Sequence, residues 1–217
     1  MSRYPEHEKV WFDRLAAAGL AVLLLPLGGA IALSTALAHG GRIFFTQERI
    51  GRNERPFRLY KFITMREAHD THGRTLPDAA RLTRWGRWLR TTSLDELPQL
   101  WNVLRGEMSL VGPRPLLPAY LPLYSARQRQ RHSVRPGITG LAQVRGRNAL
   151  PWPQRFRYDV FYAERASFAL DLMVLGETLG HLVRPRGVAS PGRATGEAFL
   201  GNATTPARRT LPVTLPL

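Results

Sequence analysis

An uncharged apolar segment near the N-terminus dominates the hydropathy pattern of the chain. From Leu15 to Ala38 no residue carries a charge, and about 20 apolar residues suffice for a helix to cross a bilayer. A buried core helix is one alternative. A cleaved signal peptide is another, because residues 36–38 have the small-x-small form of a cleavage site. The segment is longer than the usual ~7–15 apolar residues of a signal peptide, and its flank is not cationic. The pattern therefore predicts membrane attachment.

Pro26 lies near the middle of this segment, and Gly28 and Gly29 follow it. A proline removes one helical hydrogen bond and clashes with the preceding turn, so we predict that the helix breaks at Pro26. Two interpretations stay open at this point. Either a kinked helix spans the bilayer, or a re-entrant helix enters and returns on the same face, since each half is only about half a bilayer long.

The charges that flank the segment predict which side of the membrane the rest of the chain faces. Residues 1–14 contain three basic and three acidic residues, whereas every other Lys and Arg follows the segment. The positive-inside rule then predicts that the main domain lies in the cytoplasm.

Beyond the segment, polar and apolar positions alternate in a way that is typical of a β-hairpin. Residues 43–50 form a strand-like run, residues 51–56 form a loop, and from Phe57 to Met65 every second residue belongs to one face. Residues 66–80 are mostly polar and predict a loop.

Three later segments have apolar residues at the spacing of a helix. Their apolar positions are Leu97, Leu100, Trp101 and Leu104, then Leu117, Tyr120, Leu121 and Tyr124, then Phe168, Leu172, Leu175, Leu179 and Leu182. The second segment runs into the cationic sequence RQRQRH, and it is either a membrane-surface amphipathic helix or an ordinary core face. In the third segment, Asp171, Glu177 and His181 argue against a second membrane span.

These patterns predict a mainly α fold with a small β-hairpin, in the α+β class, with either a spanning or a re-entrant membrane helix and with amphipathic helices that lie on the membrane surface or pack in the core. The predicted divisions are an N-terminal arm and membrane helix at 1–38, a cytoplasmic domain at 39–185, and a Pro- and Gly-rich tail at 186–217. We expect the tail to be partly disordered.

Composition adds a constraint on the partner of this domain. The chain has 31 Lys and Arg against 16 Asp and Glu, for a net charge of +15, which predicts an anionic partner such as nucleic acid, anionic lipid or a phosphorylated small molecule. It has no cysteine, so disulfides, thiolate catalysis and cysteine-based zinc sites are excluded.

Two adjacent carboxylates, Asp95 and Glu96, stand out in this basic chain. Neighbouring residues of a helix point about 100° apart, so they do not form a facing acid–base pair. Ser93 and Glu96 match the S-x-x-E capping box, which predicts that both acids lie in a first helical turn, although Pro98 favours a start two or three residues later. The acids either cap the helix, or they belong to a phosphate site at its N-terminus.

Arginines near this acidic pair favour the phosphate site. Arg90 precedes the pair, and Arg114 stands between Pro113 and Pro115. Proline on both sides restricts the backbone, and a guanidinium in a fixed position suits bidentate contact with phosphate.

Three blocks of sequence carry a resemblance to a known family. The blocks FFTQERIGRNERPFRLYKFITM, TTSLDELPQLWNVLRGEMSLVGPRPLLPAYLP and RHSVRPGITGLAQVRGRN resemble the bacterial sugar transferase family, the monotopic polyprenyl-phosphate phosphoglycosyl transferases, in its small one-domain form. The match runs from Val10 to Asn202. The segment GVASPGRATGEAF also resembles the tail of members that use bacillosamine-type nucleotide sugars.

The resemblance implies a reaction and a set of residue roles. Family members transfer a sugar 1-phosphate from a UDP-sugar to undecaprenyl phosphate with Mg2+ and release UMP, through an aspartyl phospho-sugar, at the first membrane step of bacterial glycan assembly. The resemblance places the nucleophile and a metal contact on Asp95, with Glu96 as the second catalytic residue. The residues implied on the phosphate or nucleotide side are Lys61, Arg90, Arg114, Gln143, Arg147 and Asp159. For each of them singly, a structural ion pair is the alternative.

The implied partners are the UDP-sugar, undecaprenyl phosphate and membrane lipid, at the cytoplasmic face of a bacterial inner membrane, and no nucleic acid is expected. The oligomeric state is open, with a homodimer as one option. The competing interpretation is a basic, membrane-anchored protein that binds nucleic acid or anionic lipid without enzymatic activity. It accounts for the charge but leaves the acidic pair and the Pro-Arg-Pro sequence unexplained.

Overall fold

A computed structural model describes residues 6–146, 149–183 and 198–202. Its helices are α1 (Glu6–Leu23), α2 (Leu25–Ala38), α3 (Asp78–Arg81), α4 (Arg84–Thr92), α5 (Gln99–Leu104), α6 (Ala126–Arg129), α7 (Leu141–Val144), α8 (Trp152–Arg165) and α9 (Phe168–Val183). Its strands are β1 (Phe44–Ile50), β2 (Pro56–Phe62), β3 (Ser109–Val111) and β4 (Gly137–Thr139). Short 3-10 turns lie at Arg52–Glu54, Leu94–Glu96, Pro118–Leu123 and Gln130–Ser133. The predicted mainly helical fold with a small hairpin is confirmed.

The apolar N-terminal segment forms two helices that meet at a sharp bend. The angle between α1 and α2 is 66°, and Pro26 lies in the first turn of α2. Proline has no N–H group and disfavours the helical conformation of the residue before it, so the break falls just ahead of Pro26. In the described ranges no single helix has the length and apolar composition of a membrane span, whereas the bent pair meets both conditions. The predicted break is confirmed, and re-entry stays a prediction.

β1 and β2 form the predicted antiparallel hairpin. Phe45 pairs with Lys61, and Arg49 pairs with Phe57. Because directly paired residues share a face and residues two apart along a strand do too, Lys61 and Arg49 lie on the same face of the hairpin.

The main core lies among α1, α5, α8, α9 and the strands β3 and β4, which pair in parallel. Its buried residues include Ala17, Val103, Met108, Val111, Leu141, Tyr162 and Val174. Gly112 directly follows β3 and packs against the backbone just before β4. A Cβ on Gly112 would lie 2.4 Å from the carbonyl oxygen of Arg135. Only a glycine permits this approach, which fixes the start of the segment that carries Arg114.

The apolar stripe predicted on α9 faces outward. Phe168, Leu172 and Leu179 are 43%, 49% and 64% exposed. Asp171 faces inward instead, because its carboxylate accepts hydrogen bonds from Lys9 of α1 at 2.5 Å and from the Tyr162 hydroxyl at 2.6 Å. These buried polar contacts, together with the core packing of Val174 on the same helix, set its rotation.

The segment after Leu117 forms a 3-10 turn instead of the predicted amphipathic helix. Tyr124, at its end, is buried in an aromatic cluster with Phe156 and Phe199, so the core-face interpretation holds for this residue. Phe199 belongs to the predicted tail, of which the structure describes residues 198–202. Residues 184–197 and 203–217, which include most of GVASPGRATGEAF, lie outside the described ranges.

Candidate functional site: an acidic pair among cations

The acidic pair lies in the short connection between α4 and α5. α4 ends at Thr92, and Ser93 follows in the left-handed conformation with φ 59°. Leu94–Glu96 then forms a 3-10 turn, and α5 begins after Pro98. The predicted capping box is absent, because Ser93 makes no side-chain cap bond to this turn and instead ends α4. The predicted first-turn position of both acids is confirmed, in the 3-10 turn. The late helix start that Pro98 predicts is confirmed.

Glu96 is occupied by two cations. Lys61 Nζ lies 2.5 Å from Glu96 Oε1, and Arg114 Nη2 lies 2.9 Å from the same oxygen. Burial alone would raise the pKa of Glu96, but Arg114 and Lys61 together hold this pKa well below its usual range. Glu96 is therefore ionised at neutral pH, and it fixes the positions of both cations.

Asp95 carries the same charge in a different environment. Its side chain is 9% exposed, and Lys61 Nζ is 4.0 Å from its Oδ2, which is beyond hydrogen-bond length. Among the residues that the structure describes, none donates a hydrogen bond to this carboxylate. Burial raises the pKa of Asp95, Lys61 opposes the rise, and Glu96 adds to it. Glu96 is thus the occupied carboxylate of the pair, bonded to two cations, and Asp95 is the available one.

Arg90 approaches the pair from α4. This helix packs closely on the segment after β2, because a Cβ at Gly86 would lie only 1.9 Å from the carbonyl oxygen of Thr64. Arg90 Nε donates to Thr64 Oγ1 at 3.0 Å. Burial lowers the pKa of Arg90, and the Asp95 carboxylate opposes this change. Arg90 therefore adds positive potential on the Asp95 side of the pair.

Arg114 has a fixed backbone and an accessible side chain. Arg131 Nη2 donates to the carbonyl oxygen of Arg114 at 2.6 Å, and the flanking prolines restrict the backbone further. The Arg114 side chain is nevertheless 47% exposed. The Glu96 carboxylate raises the pKa of Arg114. Its guanidinium can therefore contact an incoming anion while it stays bonded to Glu96.

Comparison with known proteins decides to which family this site belongs. A family model described as bacterial sugar transferase matches residues 4–185. The chain belongs to the bacterial sugar transferase family. The uncharacterized sugar transferase EpsL of Bacillus subtilis (strain 168) is 50% identical over 163 residues, which cover 75% of this chain and 81% of EpsL. The family predicted from the three sequence blocks is confirmed.

Two further relatives differ in length. The exopolysaccharide production protein ExoY of Rhizobium meliloti (strain 1021) is 38% identical over 193 residues, which cover 81% of this chain and 85% of ExoY. The UDP-glucose:undecaprenyl-phosphate glucose-1-phosphate transferase of Xanthomonas campestris pv. campestris is 42% identical over 175 residues, which cover 75% of this chain but only 36% of that protein. This sugar transferase therefore matches most of a short relative and about a third of a longer one.

In this sugar transferase, Asp159 lies apart from the acidic pair. Arg131 Nε and Nη2 donate to its Oδ2 at 3.0 and 2.7 Å, and the two side chains are 2% and 6% exposed. Burial raises the pKa of Asp159, and Arg131 opposes the rise. The predicted contact of Asp159 with substrate stays a prediction, and in this structure Oδ2 of its carboxylate is bonded to Arg131. Its connection to the site runs through Arg131 to the backbone of Arg114.

Two other predicted residues of the sugar transferase site stay predictions. Gln143 lies on α7, and within the described ranges neither polar atom of its buried amide has a hydrogen-bond partner. Such unfilled hydrogen-bonding capacity is typical of a ligand contact. Arg147 lies outside the described residues.

Sequence reasoning missed two arginines near the site. Arg131 lies in the cationic run RQRQRH, where no local pattern distinguishes a buried arginine from its solvated neighbours. The position of Arg49 could have been predicted, because the hairpin register that places Lys61 on one face also places Arg49 on that face.

Asp95 offers the available metal ligand of this site. In the part of the chain that the structure describes, no group of three or more His, Asp or Glu residues could hold a metal ion by itself. Mg2+ usually takes only one or two protein carboxylates and completes its shell with water and substrate phosphate. An available carboxylate beside three phosphate-attracting cations fits that donor set.

Proposed function

We propose that this sugar transferase moves a sugar 1-phosphate from a UDP-sugar to undecaprenyl phosphate, giving undecaprenyl-diphosphate-sugar and UMP. The observation that carries the proposal is the unequal acidic pair, in which Glu96 binds Lys61 and Arg114 while Asp95 is left available. The activity for which the Xanthomonas relative is named supports the reaction class.

In the first step, a carboxylate oxygen of Asp95 attacks the β-phosphorus of the UDP-sugar. A bond forms between this oxygen and phosphorus, the bond from the β-phosphorus to the bridging oxygen breaks, and UMP leaves with the bridging oxygen and its electron pair. The product is an aspartyl phospho-sugar, so one displacement is divided into two easier ones. A carboxylate that accepts no hydrogen bond from the described residues keeps its lone pairs for this attack.

In the second step, an oxygen of undecaprenyl phosphate attacks the same phosphorus and releases the Asp95 carboxylate. An anion approaches an anion in both steps, and the fixed positive charges of Lys61, Arg90 and Arg114 reduce this repulsion. Glu96 holds two of these cations in position. Bound Mg2+ would neutralise part of the diphosphate charge, with Asp95 and phosphate oxygens as its ligands.

The bent helix pair supports attachment to a membrane, which the lipid acceptor requires. Its large exposed side chains are Leu15, Val22, Leu23, Leu25, Leu33 and Leu37, each at least 64% exposed. A water-soluble monomer rarely exposes so many large apolar side chains on two consecutive helices. We infer a re-entrant arrangement that holds the catalytic domain at the cytoplasmic face of the bacterial inner membrane, where the soluble donor meets the lipid acceptor.

UMP release tests the proposed reaction directly. The full-length protein in detergent, with Mg2+ and undecaprenyl phosphate, is incubated with UDP-glucose, UDP-galactose or a UDP-diacetamido-trideoxyhexose, and UMP is quantified. Donor alone should also add the mass of one phospho-sugar to the protein, and Asp95→Asn should carry no such adduct. If no donor yields either UMP or the adduct, the proposed function is wrong.

A further inference from the structure

Arg49 occupies an unusual position beside the acidic pair. Its side chain lines a small hollow together with Leu59, Lys61, Gln99, Arg114 and Pro115. Arg49 Nη2 donates to Gln47 Oε1 at 2.6 Å, and Nη1 donates to the carbonyl oxygen of Pro115 at 3.4 Å. Arg49 Nε is buried and has no hydrogen-bond partner within the described ranges.

The charge of Arg49 is not matched by a carboxylate. Its two acceptors are neutral, and within the described residues no carboxylate lies within ion-pair distance of its guanidinium. Burial, and then the neighbouring positive charge of Arg114, lower the pKa of Arg49 to about 10. The side chain therefore stays charged at neutral pH, although a partly buried charge with neutral partners is costly. An anion in the hollow would offset this cost.

The size of the hollow limits what enters it. Its volume is about 20 Å3, which is enough for one water-sized group and too small for a sugar or a base. A single phosphate oxygen fits, with the remainder of the phosphate outside, beside the accessible side chain of Arg114.

We propose that Arg49 binds an oxygen of the donor diphosphate, together with Lys61 and Arg114. This assignment rests on the proposed function, in which the donor is a UDP-sugar. The guanidinium supplies a full positive charge to this oxygen, and charge-assisted contacts of this kind are the strong ones. Arg49 is then a substrate-binding residue on the hairpin, opposite the loop that carries Asp95.

A purely structural role of Arg49 explains these contacts less well. In that alternative, Arg49 would tie the hairpin to the loop through the carbonyl oxygen of Pro115. The 3.4 Å distance of that contact is longer than the usual range of about 2.7–3.2 Å. Moreover, the contact leaves Nε without a partner.

Binding of inorganic diphosphate separates the two roles. Its dissociation constant is measured by calorimetry on the full-length protein in detergent, without divalent metal, for the native chain, Arg49→Gln and Arg49→Lys. The matched control is Arg58→Gln, on the neighbouring strand, because the Arg58 side chain is exposed. Melting temperatures of all variants are measured in parallel.

We expect Arg49→Gln to weaken diphosphate binding about tenfold or more, Arg49→Lys to weaken it less, and the control to bind within about twofold of the native chain. The melting temperature of Arg49→Gln should not fall, because the variant removes an unmatched charge. Equal diphosphate binding by Arg49→Gln and the control would overturn the assignment, as would a native chain that does not bind diphosphate. Arg49-dependent binding in a protein that releases no UMP would refute the proposed function and leave the anion site standing.

Discussion

Two neighbouring groups of acids and cations in this sugar transferase differ in how completely their charges are matched. The closed pair consists of Arg131 and Asp159, which are joined by two hydrogen bonds at 2.7 and 3.0 Å and are almost fully buried. The open cluster consists of Asp95, Glu96, Lys61, Arg90 and Arg114. In the open cluster one acid is engaged by two cations, while the other accepts no hydrogen bond from the described residues.

The difference shows how the same side chains serve structure in one place and chemistry in the other. In the closed pair, one buried arginine and one buried carboxylate match each other's charge. In the open cluster, Glu96 holds Lys61 and Arg114, and the exposed guanidinium of Arg114 can also contact an anion. The groups are connected, because Arg131 also donates to the carbonyl oxygen of Arg114. The closed pair therefore supports the loop on which the open cluster depends.

Removing the available carboxylate should have the largest effect. In Asp95→Asn the nucleophile is lost, and we expect UMP release to fall by at least about 10³-fold. The melting temperature should stay the same or rise, because burial disfavours the charge of Asp95. UMP release is measured with native protein at equal concentration and with circular dichroism as the folding control. Turnover near the native rate would show that Asp95 is not the nucleophile.

The equivalent change in the closed pair should affect stability first. Asp159→Asn leaves Arg131 buried without its counter-charge, so we expect a loss of about 3–5 kcal/mol in the free energy of unfolding. The double variant Arg131→Met with Asp159→Leu should recover most of this loss, because it removes both charges. Chemical denaturation measures the free energy of unfolding of the single and the double variant. A fully stable Asp159→Asn that has lost UMP release would instead support the original prediction of substrate contact.

Local rules account for the parts of the fold that the sequence predicts well. Proline chemistry places the break ahead of Pro26, and strand alternation gives the hairpin. The rotation of helices is different, because it depends on distant partners. Trp101 belongs to the predicted apolar stripe of α5 but is 55% exposed, whereas Asn102 is fully buried. The Asn102 amide donates to the carbonyl oxygen of Arg58 at 2.7 Å, and no local pattern contains that contact.

The same limit applies to the candidate site. The sequence blocks contain Asp95 and Glu96 together with Lys61 and Arg114, Arg90 directly precedes one block, and the structure brings these residues together. They do not separate the occupied acid from the available one, because that distinction depends on distances between three elements. Arg131 begins the third block, but the block does not predict its contact with Asp159, which lies 28 residues further along the chain.

Arg114 should contribute to catalysis with little effect on folding. Because its side chain is 47% exposed, Arg114→Ala should change the free energy of unfolding by only about 0–1 kcal/mol. It should lower kcat/KM by about 10²–10³-fold if the guanidinium stabilises developing charge. Arg114→Lys should recover part of the rate, since it keeps the charge but loses the planar donor pair. Arg58→Ala is the exposed control. A native rate in Arg114→Ala would show that Arg114 only positions Glu96 and does not stabilise developing charge.

The smallest expected effect is a shift of the pH profile, and it tests whether the two acids are coupled. Asp95 attacks only when ionised. Because burial raises its pKa and Glu96 raises it further, kcat/KM should fall on acidification at a pH above the ordinary range of an aspartate.

Glu96→Gln removes the neighbouring negative charge and frees Lys61 and Arg114 to attract Asp95, so both changes lower the pKa of Asp95. The acid limb of the kcat/KM profile should therefore move to lower pH, although the plateau rate falls because the two cations lose their anchor. The control is Glu164→Gln, which changes an exposed ion pair with Arg127 and should not shift the acid limb of the kcat/KM profile. An acid limb that stays fixed in Glu96→Gln, or moves to higher pH, would mean that the group titrating in the open cluster is not Asp95.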